Sequence, residues 1–321
     1  MHRLFATILI PLAAAVGVAA AAEDAYPSRT LKLLCWTSAG APLDVMMRQL
    51  GKQLGEIFHQ TVVVENRAGG SGAAAMATVM KEPADGYNIL STTSSMSFTM
   101  ATGRIAFGPR DFTVLPAIQA EPSAVAVRAD SPFKTLGQLV SYLREHPDKL
   151  TVGGFSAAGF HQFVFYRLQQ EANFRADWIP FKGGQEAGLA LLGAHIDVAV
   201  ITPSSALAQI QNGDIRLLGI SSAGRDEYFP EIPTFKEQGF DVVESIWRGV
   251  MVKAGTPRSV IDTLTSAITR VKETQEWKDF SRLNLQSSVT ISLEAMQELV
   301  ANEVRSDRAF LESSGFIKKM N

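Results

Sequence analysis

The sequence predicts an α/β protein of two domains, each built on an open, mostly parallel sheet, with a cleft between them. From Thr30 onward, short apolar or β-branched runs alternate with helical patterns, and short glycine-rich connections join them. This alternation is typical of parallel sheets covered by helices. The pattern begins afresh near Ser123, and the chain beyond Pro257 contains helical patterns without strands of their own. These three observations predict the fold class.

The N-terminal segment, residues 1–22, is interpreted as a secretory signal peptide rather than as part of the fold. Arg3 supplies a positive charge, residues 5–18 are apolar, and Ala20 to Ala22 form a small-residue cleavage site ahead of Glu23. No later stretch is long and apolar enough to span a bilayer. We therefore expect a soluble, exported protein, cleaved after Ala22, whose length of about 300 residues favours two domains over one.

The charge balance argues against a nucleic acid or an anionic membrane as partner. The chain carries 30 Lys and Arg residues against 32 Asp and Glu residues, so any anion binding must be local. Cys35 is the single cysteine and cannot form an internal disulfide. Stability must therefore come from an apolar core, which agrees with a hydrophobic content of 46%.

The first candidate binding segment is the loop from Leu34 to Asp44. It joins a predicted buried strand, residues 31–36, to a helical pattern that begins near Met46. Gly40 and Pro42 lie within it. A small-residue loop that ends at a helix start presents backbone N–H groups without intrahelical partners, and such a loop suits an anion. On these residues alone, the alternative that Gly40 and Pro42 only shape a turn stays open.

Two further units complete the first predicted domain. Residues 61–65 form a β-branched strand, residues 66–72 a glycine-rich loop, and residues 73–81 a helix. Residues 87–90 form the next strand, and residues 91–99 a hydroxyl-rich loop. Ligands of open α/β sheets bind beyond the carboxyl ends of the strands, so the loops of this domain are candidate binding segments.

The second predicted domain repeats this pattern. A small-residue loop, residues 155–159, precedes a helix that begins near Phe160, and Thr135 is the expected N-cap of an earlier helix. The predicted strands are residues 123–128, 149–153, 178–181, 196–201 and 216–221, and the other predicted helices are residues 135–145, 186–192 and 204–211.

The last segments return to the first domain. An extended segment, residues 242–251, carries Trp247 and Arg248, and helices follow at residues 258–273 and 293–311. Because these helices lack a sheet of their own, the economical solution packs them on the first sheet.

The first domain is therefore expected to be discontinuous. It comprises residues 23–122 and 249–321, and the second domain comprises residues 123–248. Two crossovers, near residues 119–125 and 245–251, make a hinge, and a hinge implies a cleft.

One motif suggests dinucleotide binding and is outweighed by its context. Gly70-Ser71-Gly72-Ala73-Ala74-Ala75 matches the pattern G-x-G-x-x-A between a strand and a helix. An exported protein meets little NAD, and no acidic residue ends a second strand at the proper distance, since Asp85 lies in a turn instead.

A second motif suggests a serine hydrolase. Gly154-Phe155-Ser156-Ala157-Ala158 approaches the nucleophile elbow G-x-S-x-G, with His161 and His195 as conceivable bases. Alanine replaces the last glycine, and a triad also needs an acid after the serine and before the histidine, for which nothing local stands out. A hydrolase that uses Ser156 is therefore the remote alternative. The five histidines lack metal-ligand spacing, which predicts no metal site; they are His2, His59, His146, His161 and His195.

Seven segments of the chain follow the pattern of one known family: residues 63–72, residues 83–87, residues 180–183, Asp197, residues 203–206, residues 230–234 and residues 254–257. On these segments, the chain resembles the periplasmic solute receptors of tripartite tricarboxylate transporters, the Bug-type family. The resemblance runs from Tyr26 almost to the C-terminus. It implies a two-lobed Venus-flytrap fold, no enzymatic activity, and a carboxylate ligand held between loops of both lobes, partly through ordered water.

The first-lobe loop keeps part of the family pattern Pro-Phe-Pro-Pro-Gly-Gly-Pro-Thr-Asp. Gly40, Pro42 and Asp44 match it. The positions that depart from it are Trp36, Thr37, Ser38, Ala39, Ala41 and Leu43.

The second-lobe loop also departs from the family pattern. It keeps Ser156 and His161 but brings in Phe155 and Phe160. Added aromatic residues favour a ligand with a flat apolar body.

Two further departures concern the charge of the ligand. Ile201-Thr202 replaces an Asp-Asn pair that many members have, which disfavours a ligand ammonium group. Trp247 matches the family, whereas Arg248 replaces an aromatic residue and could pair with a carboxylate of the ligand. The alternative for Arg248 is a surface ion pair.

We therefore predict a solute-binding protein for an aromatic mono- or dicarboxylate such as terephthalate. The alternative is a receptor for an aliphatic di- or tricarboxylate. The sequence also leaves open whether the receptor delivers its ligand to a transporter or signals to a sensor kinase. The expected partners are the ligand and the transporter's membrane subunits, without cofactor, metal or nucleic acid, and the expected state is a periplasmic monomer. The predicted ligand contacts are Trp36, Thr37, Ser38, Ala39, Gly40, Ala41, Asp44, Ser94, Ser95, Ser97, Phe155, Ser156, Ala158, Phe160, His161, Thr202, Trp247 and Arg248.

Overall fold

A computed structural model describes residues 26–289 and 291–318, which form two β-sheets covered by helices. The predicted signal peptide, residues 1–22, lies outside the described residues. No helix in these two ranges combines the length and the apolar character that a bilayer crossing requires.

The first part of the chain alternates strands and helices as predicted, and the helix predicted at residues 73–81 has those bounds. The elements in order are β1 (Leu31–Cys35), α1 (Pro42–Phe58), β2 (Val62–Asn66), α2 (Ala73–Lys81), β3 (Asn88–Thr93), α3 (Ser94–Ala101), β4 (Phe112–Val114) and β5 (Gln119–Pro122).

The second part contains the strands of the second sheet. Thr135 caps its first helix, as predicted, by accepting a hydrogen bond from the backbone N–H of Gln138. The elements are β6 (Ala124–Arg128), α4 (Leu136–Glu145), β7 (Thr151–Phe155), α5 (Phe160–Ala172), β8 (Asp177–Phe181), α6 (Gly184–Leu192), β9 (Val198–Ile201), α7 (Leu207–Gln211) and β10 (Ile215–Ile220).

The last part returns to the first sheet and ends in helices. The helix predicted at residues 258–273 has those bounds, and its apolar face is buried. The elements are β11 (Ser245–Lys253), α8 (Arg258–Glu273), α9 (Gln275–Leu283), β12 (Ser287–Ser288) and α10 (Leu293–Ser313).

Both sheets are mixed, which corrects the prediction of mostly parallel sheets. In the seven-stranded sheet, with the order β12-β5-β11-β3-β1-β2 and β4 beside β11, only the pairs of β1 with β2 and β3 are parallel. In the five-stranded sheet, with the order β10-β6-β9-β7-β8, β7 is parallel to both neighbours, and β6 pairs antiparallel with β9 and β10. Strands that follow a crossover enter a sheet from the opposite end, and alternation along the sequence does not reveal this direction.

The chain crosses between the sheets at two places. The first crossing lies at Ser123, between β5 and β6. The second precedes Ser245, because β11 pairs with β5 from Ser245 onward. The predicted boundary after Arg248 would divide this strand, so we propose a domain boundary just before Ser245 instead.

The predicted hydroxyl-rich loop at residues 91–99 is instead the end of β3 followed directly by α3. Thr93 accepts a hydrogen bond from the N–H of Ser95 and so begins the helix. All eight residues of α3 are buried, and their apolar and hydroxyl side chains show no clear amphipathic period. The composition of residues 91–99 is typical of a loop, whereas burial against distant parts of the chain stabilises the helix.

The apolar core has a part on each sheet, and helices join the two parts behind the cleft. Phe98 of α3 and Phe310 of α10 belong to the same cluster as the strands and helices of the second sheet. Phe98 contacts Phe163 of α5 edge-on, with 5.6 Å between the ring centroids. The two domains are thus in apolar contact through these helices.

Candidate ligand-binding cleft

A cleft of about 620 Å³ lies between the loops of the two sheets. Its walls come from the segments that follow the carboxyl ends of β1, β2, β3, β7, β8 and β9, together with the start of β11. This is the position at which open α/β sheets bind ligands. The lining residues are Trp36, Thr37, Ser38, Ala39, Ala41, Pro42, Leu43, Ala68, Gly69, Gly70, Ser71, Thr93, Ser95, Phe155, Ser156, His161, Phe181, Lys182, Gly183, Gly184, Gln185, Glu186, Thr202, Ser205, Ile246 and Arg248.

The first-lobe loop is held in place by Asp44. Its buried carboxylate accepts hydrogen bonds from the N–H of Gly40 at 2.8 Å, from Arg48 Nε at 3.0 Å and from Asn66 Nδ2 at 2.8 Å. Burial alone would raise the pKa of Asp44, but these hydrogen bonds hold it below its usual value. Gly40 adopts a left-handed conformation with φ of 82°, which glycine permits. Gly40 and Asp44 thus shape the loop, while its other residues line the cleft.

Helices α1, α5 and α6 begin at the cleft. The N-terminal residues Pro42 of α1 and Gly184 of α6 line the cleft, as does His161 in the first turn of α5. Among the described residues, no side chain caps these three helices. Unpaired N–H groups and the helix dipole make each of these ends favourable for an anion.

An aromatic pair spans the cleft between the two lobes. Trp36 follows β1 and Phe155 ends β7, and their ring centroids are 6.3 Å apart at an interplanar angle of 42°. Trp36 is 5% exposed, and its Nε1 lacks a hydrogen-bond partner among the described residues. At the rim, Gln185 Nε2 donates to the carbonyl oxygen of Gly40 at 3.4 Å. The lobes therefore touch across the cleft at two points.

Arg248 lies at the inner end of the cleft, in an ion pair with Glu121. Its Nη1 is 2.7 Å from Glu121 Oε2, and the side chains are 4% and 1% exposed, respectively. The alternative of a surface ion pair is thus wrong, since the pair is buried. Ser204, at the start of the segment after β9, donates to the same carboxylate through its N–H at 2.7 Å and its Oγ at 2.8 Å.

His161 is a buried neutral residue at the inner wall. Its Nδ1 is 2.9 Å from Ser123 Oγ, at the first crossover. Burial, together with the positive charge of Arg248, lowers the pKa of His161 to about 3. Ser156 Oγ donates to the carbonyl oxygen of Ala157 at 2.9 Å. The serine and the histidine therefore have other partners, and this geometry does not support the hydrolase alternative.

Three of the predicted contacts on strands and helices lie outside the cleft because of side-chain direction. Neighbouring residues of a strand point to opposite faces, so Ile246 and Arg248 of β11 face the cleft, whereas Trp247 is in the core. On α3, Ser95 lines the cleft, while Ser94 and Ser97 share another helical face.

The remaining predicted contacts also lie elsewhere. Ser94, Ser97 and Phe160 line a second cavity of about 310 Å³ behind the cleft. Ala158 packs against the core of the second sheet. The predicted residues that the structure brings together in the cleft are Trp36, Thr37, Ser38, Ala39, Ala41, Ser95, Phe155, Ser156, His161, Thr202 and Arg248.

Sequence reasoning missed two lining segments and the partner of Arg248. Residues 68–71 and 181–186 both line the cleft. Each follows a predicted strand and contains glycine, so the rule that ligands bind beyond strand ends applies to both, but no residue of either segment was among the predicted ligand contacts. Glu121 carried no local signal, because its pairing with Arg248 depends on the register of β5 against β11.

Comparisons with known proteins agree with this architecture. Residues 46–316 match the family described as "Tripartite tricarboxylate transporter family receptor". A UPF0065 protein from a Pseudomonas species is 32% identical over 256 residues, covering 77% of this chain and 75% of its own length. The protein BugT of Bordetella pertussis is 29% identical over 274 residues, covering 84% of each chain.

Solved structures show the same fold. The periplasmic binding protein BugD has a TM-score of 0.79 at 23% identity, covering 92% of this chain and 100% of its own. An R. palustris protein solved with adipate has a TM-score of 0.81 at 24% identity, covering 90% of this chain and 98% of its own. The chain therefore has the two-lobed fold of periplasmic binding proteins.

Proposed function

We propose that this chain, which belongs to the tripartite tricarboxylate transporter receptor family, captures a carboxylate with an aromatic body. Members of the family are solute-binding receptors rather than enzymes. We infer that it works in the periplasm as a monomer, exported by residues 1–22, and that it delivers its ligand to the membrane subunits of such a transporter.

The observation that carries this proposal is the set of uncapped helix ends at the cleft. The starts of α1, α5 and α6 come from both lobes, so an anion between them interacts favourably with both. The hydroxyl groups of Ser95 and Thr202 add donors at the walls. The adipate complex of the R. palustris relative gives a precedent for a carboxylate in this fold.

The aromatic character of the ligand is inferred from Trp36 and Phe155. The two rings come from different lobes, so a flat ligand can contact both faces of the cleft at once. Phe181 and Ile246 extend the apolar wall. Terephthalate and benzoate are representative members of this ligand class.

The mechanism follows from the position of the ligand between the lobes. Ligand that contacts both lobes stabilises the closed form, and it shifts the open-closed balance only through its greater affinity for that form. The contact of Gln185 with Gly40 lies at the rim and is made only when the lobes are close. We propose that the transporter's membrane subunits recognise this closed form.

The proposal is tested by a thermal-shift panel of aromatic and aliphatic carboxylates. A ligand should raise the melting temperature increasingly with its concentration. Benzoate and terephthalate are expected to bind more tightly than adipate. Much tighter binding of adipate would overturn the aromatic assignment and favour the aliphatic alternative. Turnover of a panel member by the purified protein would overturn the receptor assignment itself.

A further inference from the structure

The inner end of the cleft contains a positive charge with a permanent counterion. Arg248 lines the cleft, and Glu121 lies behind it, with 2.7 Å between Nη1 and Oε2. Glu121 is 1% exposed and comes from β5, the strand next to β11. The position of this carboxylate is therefore set by the sheet and not by a ligand.

Glu121 is held in place as the acceptor of two hydrogen bonds from Ser204. Ser204 donates to its Oε1 through the backbone N–H and to its Oε2 through the hydroxyl group. Both oxygens of this carboxylate thus have donors from Ser204, and the guanidinium of Arg248 lies beside it. The pair accordingly contributes no net charge to the inner end.

The other lining residues leave the whole cleft without net charge. The charged lining residues are Arg248, Lys182 and Glu186. With Glu121 behind Arg248, two positive charges face two negative ones. His161 is neutral near pH 7, because burial and Arg248 lower its pKa to about 3. The attraction for an anion therefore comes from the dipoles of helix ends and hydroxyl groups.

We propose that Glu121 sets the charge of the ligand, so that the receptor selects a monocarboxylate with an uncharged hydrogen-bond acceptor at its other end. This inference rests on the proposed function. A second carboxylate beside Arg248 would share one guanidinium with Glu121 and would leave a net negative charge in a desolvated place. A carbonyl or amide oxygen accepts a hydrogen bond from Arg248 without this penalty.

The test compares matched ligands that differ by one charge. The wild-type protein is titrated by isothermal titration calorimetry with terephthalate and with its monoamide, 4-carbamoylbenzoate. Adipate and its monoamide are titrated in parallel. The monoamide is expected to bind at least about tenfold more tightly than the diacid, as an unpaired charge at a partly buried site implies. Equal or tighter binding of the diacid overturns the inference.

The two pairs separate this inference from the proposed function. If only the adipate pair binds, the aromatic assignment fails, and the adipate pair still decides the charge preference. If the diacid is preferred in the pair that binds, the charge inference fails and the receptor function stands. If neither pair binds, the carboxylate function and the inference fail together.

The variant Glu121→Gln tests the cause. It removes the resident charge and keeps the side-chain shape, so the preference should shift toward the diacid by at least about tenfold. The matched control is Glu237→Gln, which removes the same charge from an exposed pair with Arg225 away from the cleft. An unchanged preference in a folded Glu121→Gln protein overturns the assignment to Glu121. The wild-type comparison decides the charge preference even where this variant fails to fold.

Discussion

The indole ring of Trp36 and the phenyl ring of Phe155 lie 6.3 Å apart, one on each lobe. Trp36 extends from the end of β1 and Phe155 ends β7, so this pair joins the carboxyl ends of two different sheets. The ring planes are tilted by 42°, so the two rings are neither stacked nor edge-on. Their contact therefore joins the two lobes and belongs to neither lobe alone.

The first prediction concerns Phe155→Leu, which keeps an apolar side chain and removes the ring. Binding of an aromatic carboxylate should weaken by at least about fivefold, since an aromatic pair contributes about 1 kcal/mol. Binding of adipate should change much less. Calorimetric titration of both ligands measures the difference.

The control for this variant is Phe133→Leu, which removes a ring that contacts Tyr142 on the outer surface of the second lobe. It should leave both affinities unchanged. A loss of the same size for adipate and for the aromatic ligand in Phe155→Leu would show that the ring supports the fold and not the ligand.

The second prediction concerns Asp44→Ala. The substitution leaves the donors of Gly40, Arg48 and Asn66 without their acceptor. The free energy of unfolding should fall by about 2–3 kcal/mol, because the lost carboxylate is charged and buried. Urea unfolding measures this change. Asp279→Ala, which breaks an exposed ion pair with Arg282 and an exposed hydrogen bond from Gln275 Nε2, should cost less than about 1 kcal/mol; equal losses in the two variants would contradict the prediction.

The third prediction concerns the stability of the Arg248 and Glu121 pair. Arg248→Met leaves the carboxylate of Glu121 buried without its charged partner, so the free energy of unfolding should fall by about 3–5 kcal/mol. The double variant Glu121→Leu with Arg248→Met should recover most of this loss, because no buried charge remains. Urea unfolding of the two variants tests the pair, and a single variant as stable as the wild type would refute it.

The fourth prediction concerns the second cavity, which contains carboxyl groups with raised pKa values. Burial raises the pKa of Asp307 to about 8, although Ser97 donates a hydrogen bond to it. Burial raises the pKa of Glu303 to about 7, although Trp247 Nε1 donates to it at 2.8 Å. The charged groups that also line this cavity are Arg167 and Glu244, which pair with each other.

These shifts fix the direction of the pH dependence. Asp307 and Glu303 bind protons more tightly in the folded protein than in the unfolded chain, where their pKa values are about 4. Their contribution to stability is complete below about pH 4 and is lost as the pH rises through 7 and 8. The melting temperature should fall between pH 5.5 and 8.5, and Asp307→Asn should reduce this fall by at least about 2 °C. Scanning calorimetry of the wild type, of Asp307→Asn and of the exposed control Asp279→Asn tests this; identical pH profiles for the wild type and Asp307→Asn would disprove it.

The fifth prediction concerns export. Expression of the full chain in a Gram-negative host should yield periplasmic protein whose first residue is Glu23, because the small-residue site ends at Ala22. Intact-mass measurement of the periplasmic fraction tests this. A mass that retains Met1 would contradict cleavage.

Much of the fold could be predicted because periodicity and turn residues carry local information. Helices α2 and α8 have the predicted bounds, and the N-cap at Thr135 is the predicted one. The directions of strands such as β11 could not be predicted, since they depend on where a crossover delivers the chain. Helix α3 was missed for a related reason, because its burial comes from elements far away in the sequence.

The site could be predicted at the level of loops but only partly at the level of side chains. The loop after β1 lines the cleft, because loops follow from strand ends. Trp247 and Arg248 were predicted together as contacts, yet they point to opposite faces of one strand. Glu121 could not be anticipated at all, because a buried partner is visible only once the register of β5 and β11 is known.

The position of the two crossovers determines how far each part of the cleft would move if one lobe rotated against the other. In any rigid rotation of one lobe against the other, an atom moves in proportion to its distance from the axis that passes through the crossovers. Glu121 lies two residues before the first crossover at Ser123, so its contact with Ser204 is displaced least, whereas Gly40 and Gln185 at the rim separate. If the lobes move as proposed, we expect the inner end to keep its shape and to discriminate ligands by their chemistry, and the rim to separate and close with ligand release and binding.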